Sequence, residues 1–575
     1  MNADALPPSL DESPAPVSAP QVTRSPMQGL SVLVLGLGTS GVAMAAWCLR
    51  RGAAVTVWDS RLGQADAPAS IASALQVLRD LPLLADQPAL AECVGALDAS
   101  SLGEHQWVLR SPGLGPNDPR VLPLLQAAES QGVPVRGELD LFVAELRRLA
   151  SCTGYAPKLL AITGTNGKTT TTALTGLLVE RAGLRVAVAG NIGPSLLDTL
   201  QSELDAAPQD AEAWPQVWVV ELSSFQLHGV QDFEPSAAVV LNLSEDHLDW
   251  HGSMAAYGAD KQRIWGRSVD STMVVNRDDP IVVRLGEALL QPPAPPAAAA
   301  SSRTRALRPA APPLERRVVR FGLDAPRAPG DFGLVVEGGM AWLVRAMDDG
   351  EPLRRRRPAA TAAAAEPAEP LVLQRLMPAD ALRIRGRHNA ANALAALALA
   401  TSIGCPLAPM LHGLREYTGE PHRVQFVATV GGIDAFDDSK GTNVGATVAA
   451  LEGLGQDRAP ARLAVILGGD GKGQDFSPLV AALQRHARAV ALIGRDASAI
   501  ELAVGDRCRE VGIPLARLDS LEAAVGWCFD ACSSGDAVLL SPACASLDMF
   551  RDYRHRADVF VAEVQARAAM AGGLS

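Results

Sequence analysis

Leu159-Leu-Ala-Ile-Thr-Gly-Thr-Asn-Gly-Lys-Thr-Thr170 is the stretch whose reading decides the fold of this chain. A continuous apolar run, as expected for a parallel strand buried on both faces, leads into Thr163, Gly164, Thr165, Asn166, Gly167, Lys168, Thr169 and Thr170, and then into a helical run over 169–182. Strand, glycine turn, Lys, Thr and helix in this order make a phosphate loop. Its backbone N–H groups cradle phosphates, its lysine reaches the β- and γ-phosphates, and its threonine hydroxyl is placed to ligate Mg²⁺. The loop departs from G-x-x-x-x-G-K-[ST] at one position, where Ile162 stands in place of the first glycine.

Working outward, the apolar run Val217-Trp-Val-Val220 ends in Glu221, an acid at the end of a buried strand, where a metal-holding carboxylate belongs in such a fold. A loop or helix-capping role is its alternative. After the next apolar run comes Asn242-Leu-Ser-Glu-Asp246-His247-Leu-Asp249-Trp-His251. His247 there is a candidate metal ligand, with a structural role as the alternative. Upstream, Ser31-Val-Leu-Val-Leu35 runs into Gly36-Leu-Gly38-Thr-Ser-Gly41, followed by a helical run over 42–51 and a second apolar run ending at Trp58-Asp59. This spacing reads as a Rossmann-type fingerprint for a dinucleotide. The same glycines also suit another nucleotide pyrophosphate or a structural turn.

Further apolar runs at 238–241, 273–275, 463–467, 490–493 and 537–540 alternate with helical runs such as 390–403 and 521–532. The fold class expected is α/β, with three domains in series: an N-terminal Rossmann-like domain, a central P-loop ATPase domain with a mainly parallel sheet, and a C-terminal Rossmann-like domain. A length of 575 residues allows three or four domains. The net charge of −12 excludes binding to nucleic acid by bulk positive charge, yet leaves local cation clusters free to hold anionic substrates. Eight scattered cysteines, with no C-x-x-C pair, read as reduced thiols. Residues 1–27 carry six prolines, three acids and one arginine, which suits a disordered tail and not a secretory signal. No run of 18 apolar residues occurs, so no membrane insertion is expected, and the compartment expected is the cytoplasm.

Several ordered motifs carry a family resemblance. Gly164-Thr-Asn-Gly-Lys-Thr169 with Glu221-Leu-Ser-Ser-Phe-Gln-Leu227 resembles the Mur ligases, ATP-dependent amino-acid ligases of peptidoglycan synthesis. Asn242 to Asp249, Gly386-Arg-His-Asn-Ala-Ala-Asn392 and Pro421-His-Arg423 agree. Asp437-Asp-Ser-Lys-Gly-Thr-Asn443, Gly468-Gly-Asp-Gly-Lys-Gly473 and Leu540-Ser-Pro-Ala-Cys-Ala-Ser-Leu-Asp548 resemble the branch that adds D-glutamate to UDP-N-acetylmuramoyl-L-alanine. The resemblance spans about Leu30 to Phe560, outside the tail and two Ala/Pro/Arg-rich insertions.

The resemblance implies a domain division: a tail over 1–27, a UDP-substrate domain over 28–135, a central ATP domain over 136–420 with insertions near 288–316 and 350–370, and an amino-acid domain over 421–575. It also implies roles. Gly36, Gly38, Thr39, Ser40, Ser60, Arg61, Gly113, Asn191 and His247 would bind the UDP substrate. Gly164 to Thr170, with Asn389, Asn392, Arg423 and Asp438, would bind ATP. Lys440, Thr442, Lys472, Ser546, Leu547 and Tyr553 would bind D-glutamate, Tyr553 replacing a more usual aromatic. Lys168, Glu221, His247 and Lys261 would be catalytic, and Thr169, Glu221, His247 and Lys261 would serve two Mg²⁺ sites, with Lys261 carried as a carbamate. The partners implied are small molecules only, for a monomeric enzyme.

The chemistry suits these residue types. An amide is made from a carboxylate by converting it to an acyl phosphate with ATP, after which the amine of D-glutamate attacks and phosphate leaves. Three anionic substrates must meet, so placed cations are needed. A nucleotide-dependent oxidoreductase would explain Gly36–Gly41 but gives no role to the phosphate loop. A non-enzymatic P-loop module leaves the region of Lys440, Lys472 and Ser546 unexplained. Folylpolyglutamate synthetases, which share the ATP domain, normally begin near that loop. A diaminopimelate ligase would carry D-N-P-R in its last third, which is absent here. The ATP and amino-acid motifs lie on different domains, so catalysis requires domain closure, and the sequence leaves open whether a ligand-free structure holds those sites together or apart.

Overall fold

The computed structural model describes residues 27–64, 67–82, 90–208, 210–291, 316–347, 371–384 and 386–572. Most of the expected tail and the bulk of both insertions lie outside the described residues. Three of those boundaries shift inward. Met27 is buried in the N-terminal core rather than part of a tail, and residues 288–290 complete the helix Pro280–Leu290. Arg316 likewise belongs to the fold, its guanidinium donating to the carbonyls of Ser271, Gly266 and Trp265.

The N-terminal sheet contains β1 (Ser31–Leu35), β2 (Ala54–Trp58), β3 (Ala91–Cys93), β4 (Trp107–Arg110) and β5 (Val135–Arg136), all parallel, in the order β3-β2-β1-β4-β5. The order reverses between β1 and β4, which opens a crevice at their carboxyl ends. The glycine loop after β1 and Ser111 after β4 flank that crevice. Gly41 is required there, because a Cβ would stand 1.8 Å from the Gly36 carbonyl oxygen.

The central sheet contains β6 (Lys158–Thr163), β7 (Val186–Gly190), β8 (Val217–Glu221), β9 (Ala237–Val240), β10 (Thr272–Asn276) and β11 (Val318–Phe321). It is parallel throughout, in the order β11-β10-β9-β6-β8-β7. Every residue of β8 is buried, as expected of a strand covered on both faces. The helices Lys168–Arg181 and Arg387–Ser402 pack on one another over this sheet, and the alanines of the second allow the close approach. On the opposite side Trp218 is fully buried, stands edge-on to Phe142 at 5.1 Å and donates its Nε1–H to the Tyr155 hydroxyl at 2.9 Å.

A small antiparallel sheet of β12 (Phe332–Glu337), β13 (Met340–Ala346) and β14 (Leu373–Pro378) joins the central core. The sequence reading lacked it. Its signal was Gly338-Gly339, both at positive φ, between two apolar-rich runs, which is a two-residue hairpin turn. The insertion between β13 and β14 hid the third strand.

The C-terminal sheet contains β15 (Gln425–Val430), β16 (Ile433–Asp437), β17 (Leu463–Gly468), β18 (Ala487–Ile493), β19 (Leu515–Arg517) and β20 (Ala537–Leu540). Its order is β15-β16-β20-β17-β18-β19, with only the β15–β16 pair antiparallel. The carboxyl ends of β16, β20 and β17 carry the loops that begin at Asp438, Ser541 and Gly469. All eight cysteines are free thiols. Among the described residues no helix is long and apolar enough to cross a membrane.

Candidate active site

The phosphate loop sits at the carboxyl end of β6, where the central strand order reverses. Gly167 caps the helix Lys168–Arg181 with φ +81°, and a Cβ there would stand 2.5 Å from Asn392 Oδ1, so glycine is demanded twice over. Asn242 clamps the loop from β9, its Oδ1 accepting from the Asn166 N–H at 2.8 Å and its Nδ2 donating to the Asn166 carbonyl at 3.0 Å. Thr165 Oγ1 is held by the Ser244 N–H at 3.1 Å and lies 3.2 Å from the Tyr257 hydroxyl.

Lys168 Nζ donates to the carbonyls of Gly164 (2.9 Å) and Thr165 (2.7 Å). Lys261 Nζ, on a side chain only 1% exposed, donates to the same Gly164 carbonyl at 2.9 Å and to Thr163 Oγ1 at 3.2 Å. Burial lowers both ammonium groups, and Glu221 and Asp246 oppose the shift. Lys261 is held well below the ordinary lysine value, because the Lys168 charge adds to its burial.

Glu221 ends β8 in register with Ile162, at the base of the loop. Its Oε1 accepts from Asn191 Nδ2 at 2.7 Å, while Oε2 is buried without a hydrogen-bond partner. An orphaned carboxylate oxygen facing two cations and a phosphate loop is what a hard metal ion would complete. His247 sits in the left-handed region, φ 54°, with Nε2 3.5 Å from Asp246 Oδ2 and its ring 4.7 Å from that of Phe225. Burial, with help from Lys472, Lys168 and Lys261, outweighs Asp246 and pushes the imidazole down to about 4, which leaves it neutral and able to donate an electron pair at neutral pH. Among the described residues no three His, Cys, Asp or Glu side chains cluster as a metal site.

The central and C-terminal domains meet over this loop. Arg423 Nη2 donates to Thr169 Oγ1 at 3.0 Å, Asn443 Nδ2 donates to Asn166 Oδ1 at 3.1 Å, and Lys472 Nζ lies 3.7 Å from Asp246 Oδ1. The structure therefore has the ATP and amino-acid motifs together. Asn166, Gly167, Thr170, Asn389, Asn392, Arg423 and Asp438 line one cavity, continuous in its walls with a larger one of about 440 Å³. Asp438 accepts from Ser541 Oγ at 2.7 Å, and burial pushes its carboxyl up to about 7. His388 lines both cavities, kept neutral near 4 by burial and by Arg423. It was overlooked at sequence level although it lies inside Gly386-Arg-His-Asn389.

A cleft of about 750 Å³ lies between the N-terminal and central domains. Gly36, Gly38, Thr39, Ser40, Ser60, Arg61, Gly113 and Asn191 all line it. His247 is not among its lining residues and stands behind Phe225, which is. The acid that completes the dinucleotide spacing, Asp59, is consumed internally: Oδ2 accepts from the Leu37 N–H at 2.8 Å, and both oxygens are held by the Arg61 guanidinium. Burial pushes this carboxyl up, but those donors prevail and hold it at about 2. Arg120, whose Nη1 donates to Ser60 Oγ at 3.3 Å, adds a cation to the cleft that no sequence motif marked.

At the amino-acid end, Lys440 Nζ lies 5.7 Å from the Tyr553 ring centroid, and burial with the Arg423 charge pushes the ammonium down to about 8. Thr442 follows in the same turn, its N–H donating to the Lys440 carbonyl at 3.0 Å. Lys472, at φ 51°, reaches toward Asp246 instead. Ser546 is buried, whereas Leu547 is 71% exposed. Arg556, fully buried, ties these loops together by donating to Ser439 Oγ (3.0 Å), Ser439 O (2.8 Å) and Cys544 O (3.1 Å). Sequence reasoning missed it because a lone arginine in a helical run carries no signal of burial.

Comparison with known proteins agrees in all three domains. The family model described as Mur ligase MurD-like, N-terminal domain, matches residues 30–137; the Mur ligase middle domain matches 162–305; and the Mur ligase, glutamate ligase domain matches 422–544. The chain is 52% identical over 542 residues to the UDP-N-acetylmuramoylalanine–D-glutamate ligase of Burkholderia mallei (strain SAVP1), covering 93% of this chain and 96% of that protein. It is 52% identical over 548 residues to the ligase of the same name from Albidiferax ferrireducens, covering 95% and 98%. The crystal structure of UDP-N-acetylmuramate-alanine ligase from Thermotoga maritima shares the fold, with a TM-score of 0.51 at 18% identity over 93% of this chain and 99% of that one.

Proposed function

Because this chain belongs to the Mur ligase family, we infer that it joins D-glutamate to UDP-N-acetylmuramoyl-L-alanine with cleavage of ATP to ADP and phosphate, in peptidoglycan precursor synthesis. The structural observation that carries the reading is the meeting of Lys168, Lys261, Glu221 and Arg423 on one phosphate loop, beside a cleft lined by the first glycine loop. A reaction fed by ATP and a UDP-linked precursor is assigned to the cytoplasm. The oxidoreductase alternative is disfavoured because Asp59 has no free oxygen for a ribose.

The UDP portion is assigned to the 750 Å³ cleft, with the glycine loop and the N-terminus of the helix Thr39–Arg50 toward the pyrophosphate. The substrate carboxylate then points past Asn191 and Phe225 toward the phosphate loop. ATP is assigned to the cavity under Asn389, Asn392, Arg423 and Asp438. Lys168 exchanges its loop carbonyls for phosphate oxygens and balances charge as the γ-phosphoryl group moves to the carboxylate. The acyl phosphate so formed is attacked by the amine of D-glutamate, whose carboxylates are assigned to Lys440 and Lys472. The tetrahedral intermediate collapses with loss of phosphate.

Mg²⁺, bound through Thr169, Glu221 and His247, would supply charge neutralisation at the phosphoryl group and the acceptor carboxylate. Lys261 fits this set only after modification, since an ammonium has no electron pair to offer, whereas a carbamate presents the oxygens that a hard cation prefers. Its buried, lowered amine is a suitable acceptor for carbon dioxide: the neutral nitrogen bonds to the carbon, one proton leaves, and a carbamate oxygen pair remains. The test is phosphate release from UDP-N-acetylmuramoyl-L-alanine and ATP against a panel of D- and L-amino acids. Release with D-glutamate alone supports the reading, and release with an L-amino acid in preference overturns the substrate assignment.

A further inference from the structure

Glu138 opens the helix Glu138–Thr153 and is 2% exposed, yet no step above uses it. Its carboxyl bridges the two walls of the substrate cleft. Oε2 is 2.7 Å from Ser40 Oγ, on the glycine loop of the N-terminal domain. Oε1 accepts from the Leu197 N–H at 3.0 Å, in the first turn of the central-domain helix Leu196–Ala206. Ser40 and Ser195 both line the cleft.

The direction of the Ser40 bond has a chemical consequence. Against an ionised carboxylate, the Ser40 hydroxyl must spend its only proton on Glu138 and can offer a pyrophosphate nothing but lone pairs, which repel an anion. Against a neutral carboxyl the bond reverses. The carboxyl O–H donates to Ser40 Oγ, and the Ser40 hydroxyl proton turns to the phosphate. Leu197 N–H is satisfied by Oε1 in either state. The charged group facing Glu138 from the neighbouring helix is Asp198, a like charge, and the other close partners, Ser40 and Ser195, are neutral. Burial already lifts this carboxyl above the usual range, with the Ser40, Leu197 and Ser195 bonds opposing. A bound pyrophosphate adds further negative charge beside it.

We propose that Glu138 is a positioning residue that takes up a proton when the UDP substrate binds, and thereby turns the Ser40 hydroxyl into a donor to the pyrophosphate. The proposal rests on the assignment of the UDP portion to this cleft. By linkage, substrate affinity falls as pH rises through the range in which free Glu138 loses its proton. Glutamine is the isostere of the protonated state here, since its carbonyl accepts from Leu197 N–H while its amide donates to Ser40.

The experiment is calorimetric titration of the full-length chain with UDP-N-acetylmuramoyl-L-alanine, whose pyrophosphate diester does not titrate near neutrality, in buffers of different ionisation enthalpy and across pH. Wild type is expected to take up between zero and one proton per substrate bound. Glu138→Gln is expected to bind at least as tightly, without proton uptake and with a flat pH profile, whereas Glu138→Ala loses several-fold in affinity. A merely structural carboxylate would not give the proton count or the glutamine rescue. Binding by wild type without proton uptake overturns the proposal, and so does equal weakening by Gln and Ala. If Glu138→Gln does not fold, the wild-type proton count decides alone. Absence of binding by wild type would instead sink the UDP assignment itself, and the proposal with it.

Discussion

Lys168 and Lys261 donate to a single acceptor, the Gly164 carbonyl oxygen, each at 2.9 Å. Burial lowers both ammonium groups, the Lys168 charge lowers Lys261 further, and both are poised to leave the carbonyl for a better anion. Lys168→Ala is expected to reduce phosphate release by about 10²-fold or more, the order seen when one oriented charge donor is lost. The hydrogen bonds of the Lys168 ammonium run to loop carbonyls, so thermal unfolding of the variant is expected close to wild type. Unchanged turnover in a coupled phosphate assay would falsify the ATP-site assignment.

Carbamylation of Lys261 is checked directly. With isotopically labelled bicarbonate, a carbamate carbonyl resonance is expected in wild type and absent in Lys261→Ala. The Lys261 amine is lowered by burial and by Lys168, which favours the neutral form that reacts with carbon dioxide. Wild-type protein with full activity and no such resonance removes the carbamate from the mechanism.

Lys440, if it holds a D-glutamate carboxylate as proposed, is expected to set a pH limit on D-glutamate binding. Burial and Arg423 push its ammonium down to about 8, so it is charged below that pH and neutral above it. An anionic ligand needs the charged form. KM for D-glutamate is therefore expected to rise as pH passes upward through about 8, while KM for the UDP substrate does not follow the same curve. Lys440→Arg, which stays charged, is expected to flatten the rise. A wild-type KM for D-glutamate that stays level across this range takes Lys440 out of the amino-acid site.

Gly167→Ala tests the loop geometry. A left-handed non-glycine residue costs about 1–2 kcal/mol, and here the added methyl also meets Asn392 Oδ1 at 2.5 Å. ATP affinity is expected to fall about tenfold or more, since each 1.4 kcal/mol is tenfold, with UDP-substrate binding retained. Calorimetric titration with each ligand separates the two, and equal loss of both would mean that the substitution unfolds the domain boundary rather than the loop.

The comparison of sequence with structure is clearest at individual residues. The phosphate loop was legible because its chemistry is local: a buried apolar strand, glycines and Lys-Thr within one turn of a helix reach their roles without help from distant residues. Glu221 and Lys261 were legible as members of one implied metal-holding set, but the burial of Lys261 against the Gly164 carbonyl was not. The three-stranded antiparallel sheet, Arg120 in the cleft, His388 in the nucleotide cavity and Arg556 under the amino-acid loops were missed. Arg120 and Arg556 act on partners far away in sequence and carry no motif signal, whereas the Gly338-Gly339 turn marked the hairpin and the Gly386-to-Asn389 motif held His388 without revealing the cavity that it lines.

By itself the sequence determined the α/β class, three domains in series and the positions of the two glycine loops, because strand burial and turn conformation depend on neighbours along the chain. The tertiary structure decided three further things. It showed that Asp59 is consumed by Leu37 and Arg61, that Arg423 closes on Thr169 across a domain boundary, and that Lys261 is buried against the same carbonyl as Lys168. Those facts depend on desolvation and on charges brought together through space, and the linear order of residues holds neither.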